Sequence, residues 1–276
     1  MKPCSTMRLA WALAAIALGG SYAVRAADVP LAKAAIVLAV ARGNCNAAVK
    51  LINLDVRSND SQTAFVAGRM LDEGLCVKKD GETAAYFFAQ AADLGDPAAQ
   101  LDYAAKVGLG EGTAQDYARA GILCRAAGVD PQRRLPGYAL GYACTVRGVA
   151  GRLLRETLPA GAFQVTAGAA AQLEFNPGSG QMVIRAVPHV SMGEPAVGSH
   201  IGLPVVNAQQ EIEKAWHEAL VAAPKPDATR LENQVVEVSL DLDMTLERAR
   251  KSLQRHTREE LVPLNPWEIY NPTLHK

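Results

Sequence analysis

The 276-residue chain predicts an α-helical region built from successive helix pairs, followed by a small α+β domain with an antiparallel sheet. Three observations carry this reading. From Ala32 to Ala127, alanine and glycine recur at helical spacing and glycines close the runs. From Val236 to Met244, apolar residues alternate strictly with Glu237, Ser239, Asp241 and Asp243, as in a strand with one buried and one wet face. Between them, Leu173 and Phe175, the turn Asn176-Pro177-Gly178-Ser179-Gly180, and Met182, Ile184 and Ala186 spell a β-hairpin. The apolar fraction of 49% is enough for a core in one or two domains, and only 5% of residues are aromatic. Alanine therefore supplies much of the apolar count, which favours closely packed helices over a bulky sandwich.

The first residues read as a targeting segment. Lys2 and Arg8 precede an apolar run from Leu9 to Gly20, short for a membrane span, and Val24-Arg25-Ala26 offers a cleavage site. Residues 1–26 are expected to be a secretory signal peptide cleaved near Ala26; an uncleaved N-terminal anchor is the competing reading. Cys4 lies before the apolar run and so cannot be a lipoprotein acceptor. Removing the segment takes away Lys2, Arg8 and Arg25, leaving 25 basic against 28 acidic residues, a net charge of −3. A mildly acidic protein is a poor nucleic-acid binder. The expectation is an exported, periplasmic protein with no stable transmembrane span once the segment is cut.

Ala32 to Ala41 is apolar nearly all round, Gly43-Asn44 breaks it, and Ala47, Ala48, Leu51, Ile52 and Leu54 resume the helical period. After the polar segment Arg57 to Ser61, the stretch Thr63 to Ala98 holds the clearest pair. Ala64, Ala67/Gly68, Leu71 and Leu75 form one stripe and Gly74 ends it. Ala84, Phe87/Phe88 and Ala91/Ala92 form the next, up to Gly95. The facing positions are small, and Tyr86, Phe87 and Phe88 supply the bulk to be buried. Lys78, Lys79 and Asp80 fall in the turn between them and read as solvated. Asp96 followed by Pro97 is an N-cap with proline at the first helical position. Pro97 to Val107 and Ala114 to Ala127 make a third pair, separated by Gly108, Gly110 and Gly112. Ala98 lies 34 residues after Ala64, and Ala126-Ala127 lies 35 after Ala91-Ala92.

This order of alanine face, Gly68, Leu71, Gly74, Val77 with Asp80, Ala84, Tyr86/Phe87, Ala91, Ala92 and Gly95 resembles the Sel-one-like repeat, a relative of the tetratricopeptide repeat. Cys76 stands where that family usually has a second glycine. The resemblance implies that residues 27–130 form an α-helical solenoid of helix-pair repeats that binds other proteins on a concave face. The implied partner is a protein of the cell envelope whose identity the sequence does not give. Tyr103 and Tyr117, on the third pair, are the candidate partner-binding residues if they project onto that face; packing between helices is the alternative. Some cysteine-rich Sel-one-like proteins are associated with binding or hydrolysing β-lactams, so a peptidoglycan or β-lactam ligand is a second implication. The cysteine spacing here is not their regular pattern, and no Ser/Lys nucleophile pair is visible.

Cys45, Cys76, Cys124 and Cys144 remain after cleavage, and an even count in an exported chain points to two disulfides. Three pairings are open. The expected one joins adjacent elements, Cys45 with Cys76 and Cys124 with Cys144. A metal site would want CxxC spacing or a His pair, and neither accompanies them.

The character changes after Pro131-Gln132-Arg133-Arg134. Tyr138, Leu140, Tyr142, Cys144 and Val146 alternate with smaller or polar residues and read as a strand, with a fourth helix from Leu135 to Leu158 as the competing reading. Beyond the hairpin, Pro188 to Gly202 reads as loop. Asn207 is expected to cap a helix, with Gln210 reaching back and Ile212, Trp216, Ala219/Leu220 and Ala223 on its buried face. The α+β domain thus spans 135–245. Residues 246–276 follow as a charged helix, starting near Thr245 and running to Arg255, and an extended tail with Pro263, Pro266 and Pro272. A sheet beside one helix after an exported N-terminal region resembles TonB-type C-terminal domains in architecture, which implies an envelope contact domain.

No GxSxG, HExxH, P-loop or dinucleotide fingerprint occurs, so the chain is not expected to be an enzyme, and no cofactor or metal is implied. His189, His200, His217, His256 and His275 are scattered singly. Glu237, Asp241 and Asp243 share one strand face, which is what a solvent-facing half strand requires. Gly178 and Gly180 belong to a turn, not a phosphate cradle.

Overall fold

A computed structural model describes residues 33–55, 59–130, 135–157, 168–177, 179–189, 202–231 and 235–241. The expected signal peptide, the charged helix and tail from Thr245 onward, Asp243, Met244, His200, His256 and His275 lie outside these residues.

The chain begins with helix α1 (33–41) and α2 (Cys45–Asp55), then α3 (Ser61–Glu73), α4 (Gly81–Asp93), α5 (Pro97–Leu109) and α6 (Tyr117–Ala126). Four aspartates start four consecutive helices. The side chains of Asp60, Asp80, Asp96 and Asp116 accept from Thr63 N, Thr83 N, Ala99 N and Arg119 N, satisfying donors that the first turn leaves orphaned. Asp80 is thus a cap rather than merely solvated, and Thr83 Oγ1 donates to it as well, at 2.7 Å. The helix ends are as uniform. The bonds Leu75 N to Met70 O and Asp80 N to Leu71 O close the turn after α3. The same pair of bonds recurs after α5 as Glu111 N to Lys106 O and Asp116 N to Val107 O. Gly74 and Gly110, at φ +70° and +73°, supply the left-handed residue that this closure needs.

Small side chains let the helices approach. Phe88 lies over Gly68, where a Cβ would fall 2.8 Å from the ring, and Phe87, Phe88, Met70 and Ile52 fill the first core. Disulfides join Cys45 to Cys76, with Cα atoms 5.0 Å apart, and Cys124 to Cys144, 6.4 Å apart. This is the pairing that adjacency favoured.

The segment read as a strand around Tyr138 to Val146 is instead helix α7 (Gly137–Thr157). The alternation misled because the residues between the large ones are small for a different reason. Ala139, Gly141, Ala143 and Thr145 are buried too, at helix crossings, whereas a half-exposed strand would have left them wet. A Cβ on Gly141 would overlap the carbonyl of Tyr117 in α6, and one on Gly148 would overlap Ala105 in α5. The α7 backbone therefore presses against both helices of the preceding pair.

Strands β1 (Gly168–Phe175), β2 (Met182–His189) and β3 (Val236–Asp241) form an antiparallel sheet in the order β2-β1-β3. Leu173 stands between Ile184 and Val238 in register. Ala171, Leu173, Phe175, Val236, Val238 and Leu240 face inward, onto α7 and α8 (Gly202–Ala222), whose Ile212, Trp216 and Ala219 complete a second core. The helix starts before Asn207, which is therefore not its cap; Pro204 sits in the first turn, where no intrahelical donor is required. Likewise, Pro188 and Gly202, expected in a loop, belong to β2 and α8. A short 3-10 turn, Ala228–Arg230, precedes β3. Helix α7 enters both cores, with Leu140 and Cys144 in the first and Tyr142, Val146 and Leu154 in the second.

Candidate functional site

Tyr103 and Tyr117 do not stand open on the helical region. Both are buried. The Tyr103 hydroxyl accepts from Arg119 Nη2 at 2.9 Å, and the guanidinium of Arg119 lies 5.3 Å from the ring centroid. Tyr117 opens α6 and donates its hydroxyl to the carbonyl of Pro224 at 2.6 Å, across the junction with the sheet domain. Its ring meets Tyr138 and Tyr142 edge-on, with centroids 5.4 and 5.6 Å away, and Tyr142 meets Phe175 in the same way. Burial, and then the neighbouring Tyr142 and Tyr138, push the Tyr117 hydroxyl well above the usual phenol range; burial alone raises Tyr142. The tyrosines that the sequence offered for a partner are joints between helices and between the two cores. The reason is that their positions on α5 and α6 face α6 and α7 rather than an open groove.

The densest polar chemistry lies where α3, α5 and α7 come together. Lys106, buried on α5, reaches with its Nζ to Asp72 Oδ1 of α3 at 2.6 Å and Glu111 Oε2 at 3.2 Å. Arg152 of α7 grips Glu111 with two parallel hydrogen bonds of 2.9 and 2.8 Å. On α3, Arg69 pairs with Glu73 and lies 3.5 Å from Asp102 of α5, while Arg155 Nε of α7 lies 3.4 Å from Glu73. Four carboxylates and four cations thus form two charge-balanced groups, with Arg152 also under the charge of Asp102, and α3 is tied to α5 and α7 by long side chains.

The Arg152 hydrogen bonds, then its charge and that of Lys106, hold the Glu111 carboxyl down at about 2 against its burial. Glu111 in turn raises Arg152. A carboxylate held that low is an ionised anchor at neutral pH, not a proton donor. Glu111 and Arg152 are the outermost members, with side chains 37% and 26% exposed, so the cluster reaches solvent there.

Sequence reasoning missed this cluster. The available signal was Lys106 itself, a charge inside an otherwise small apolar run, 34 residues beyond Asp72. The remaining predicted residues stay apart. Lys78 and Lys79 are exposed, Lys78 contributing the weakest of the influences that lower Asp80, after its bonds from Thr83 and Glu82. His217 is exposed on α8, and His189 ends β2. Glu237 lies on the open face of the sheet and accepts from Gln172, while Arg185 and Glu174 approach to 3.8 Å on the same face. Among the described residues, no group of three or more His, Cys, Asp or Glu could hold a metal ion, and no helix is long and apolar enough to cross a membrane.

No family model matches the chain, and no curated protein or solved structure matches it.

Proposed function

We propose that this is an exported protein of the cell envelope that holds a protein partner on its helical region, with the sheet domain as a second contact surface. The observation that supports it is the recurrence of one backbone unit: aspartate cap, small-residue helix and left-handed glycine closure, repeated from α3 to α6 with α7 stacked beside them. A unit of this kind cannot bury its face alone, and stacks of such units present extended surfaces for binding. The two disulfides and the leader-like residues 1–26 fit an oxidising compartment. The neutral ion cluster on α3, α5 and α7 makes polar recognition, at the exposed Glu111 and Arg152 end, the mode for such a partner in place of the buried tyrosines.

Photocrosslinking probes at the exposed Gln115, between α5 and α6, and Glu156, in the last turn of α7, with control probes at Arg185 and Glu237 on the sheet, test this in the exporting cell. One partner captured from the helical positions alone supports the reading. Capture from the sheet positions alone moves the function to the sheet domain and makes the repeats a spacer.

That second outcome has its own supporting observation. Helix α8 falls between β2 and β3 in sequence and packs on one face of a three-stranded sheet in the order β2-β1-β3. A TonB-like contact domain would have that form. Ser239 is an edge residue of such a surface, and its carbonyl accepts from Arg147 Nε of α7 at 2.8 Å.

A further inference from the structure

The two disulfides have different surroundings. Cys124 and Cys144 are both buried within the first core, between α6 and α7. Cys76 is buried, but its partner Cys45 is half-buried and is the first residue of α2, just after the Asn44 whose side chain accepts from Ala47 N. Cys76 also holds a left-handed backbone, φ +61°, which costs a residue with a Cβ more than it costs glycine. The bond therefore joins a half-buried cysteine at a helix N-terminus to a residue in a disfavoured conformation. Accessible disulfides are the labile class, whereas bonds enclosed in a core resist exchange.

We infer that Cys45–Cys76 is a reducible bond, opened in the folded protein by a dithiol reductant, and that its opening loosens α2 while Cys124–Cys144 stays closed. A thiolate of the dithiol attacks Sγ of Cys45, the less buried of the two cysteines. A mixed disulfide forms, and Cys76 leaves as a thiolate that takes up a proton. The second thiol of the reductant then attacks the reductant's own sulfur in the mixed disulfide and releases Cys45 as a thiolate. That thiolate lies where the first N–H groups of α2 favour negative charge. The two cysteines gain two electrons, and the dithiol leaves as its cyclic disulfide. Helix α2 contributes Ala48, Val49 and Ile52 to the core and has a short contact with α3, and the bond ties its first residue to the turn after α3. The inference stands independently of what the helical region binds.

The test uses the full-length oxidised protein, titrated with dithiothreitol under native conditions. Free thiols are trapped with N-ethylmaleimide and located by peptide mass spectrometry, and backbone exchange is followed in parallel. Cys45 and Cys76 should be alkylated at a reductant concentration at least tenfold below that for Cys124 and Cys144. Amides of α2 should then exchange at least tenfold faster while those of α6 and α7 keep their rates. The Cys45→Ala variant should show the same α2 exchange without reductant. Opening of both bonds together, earlier opening of Cys124–Cys144, or unchanged α2 exchange in the reduced protein and in Cys45→Ala would each overturn the inference.

Discussion

Cys76 and Lys106 show how much a single position can carry. The closing turn after α3 places Cys76 at φ +61°, and the turn after α5 places Gly112 at +70°. Sequence comparison with the repeat pattern marked Cys76 as standing where glycine is usual; the structure supplies the reason, since only glycine takes that backbone freely. In a Cys45→Ala background, Cys76→Gly should therefore be more stable than Cys76→Ala by about 0.5–1 kcal/mol in urea unfolding. Equal stabilities would mean that the backbone relaxes once the bond is gone. Lys106 is the opposite case. Its charge did not fit the small apolar run around it, and although Glu111 lies in the turn just past α5, nothing local said that Asp72 of α3 would answer it as well. Lys106→Met strands the buried Asp72 and should cost about 3–5 kcal/mol. Lys106→Met with Asp72→Leu should recover most of that loss, and a double variant no better than the single would show that the cost is one of shape.

At the scale of elements, α7 was the hardest to read and has the most consequence. Periodicity identified α4, α6, the hairpin and the inward residues of β3, where buried positions alternate with open ones, while α3 and α5, buried nearly throughout, were found from their alanine and glycine spacing and the signals at their ends. Helix α7 has no consistently wet face over Ala139 to Val146, so its pattern carried burial information without a period, and alternation of size was mistaken for alternation of environment. The start of α8 was misplaced for a related reason, since Asn207 looked like a cap only if the helix began there. Glycine in a helix normally costs about 1 kcal/mol relative to alanine. Gly141→Ala should nevertheless destabilise by about 1–3 kcal/mol, because its Cβ would enter the Tyr117 carbonyl. Gly137→Ala, whose Cβ meets only Ala118 O at 3.8 Å, should stay within about 0.5 kcal/mol of the parent. Thermal unfolding of the two variants decides this; similar behaviour would remove the close crossing as the reason for glycine.

Across the whole molecule, two kinds of join hold the parts in place. The tyrosine cluster joins α6 and α7 to the sheet domain through Tyr117, Tyr142 and Phe175, an apolar join that pH leaves alone near neutrality. The ion cluster joins α3, α5, the turn at Glu111 and α7, and its dependence on pH has a definite sign. Glu111 titrates at about 2 in the folded protein against 4.5 without its partners, chiefly through the hydrogen bonds from Arg152. A carboxylate lowered on folding contributes stability that is complete above its unfolded value and is lost as the pH falls through the folded one. The window is therefore from about 4.5 down to about 2. The pair is partly open to solvent, so screening reduces the effect to roughly 1 kcal/mol. Other carboxylates titrate in the same window, which makes the parent protein alone uninformative. The difference in urea-unfolding free energy between the parent and Glu111→Gln isolates this residue: it should shrink by roughly 1 kcal/mol between pH 5.5 and pH 2.5. A difference that stays constant across that range would mean that Arg152 and Glu111 meet without binding energy, and that α7 is held to the turn by packing alone.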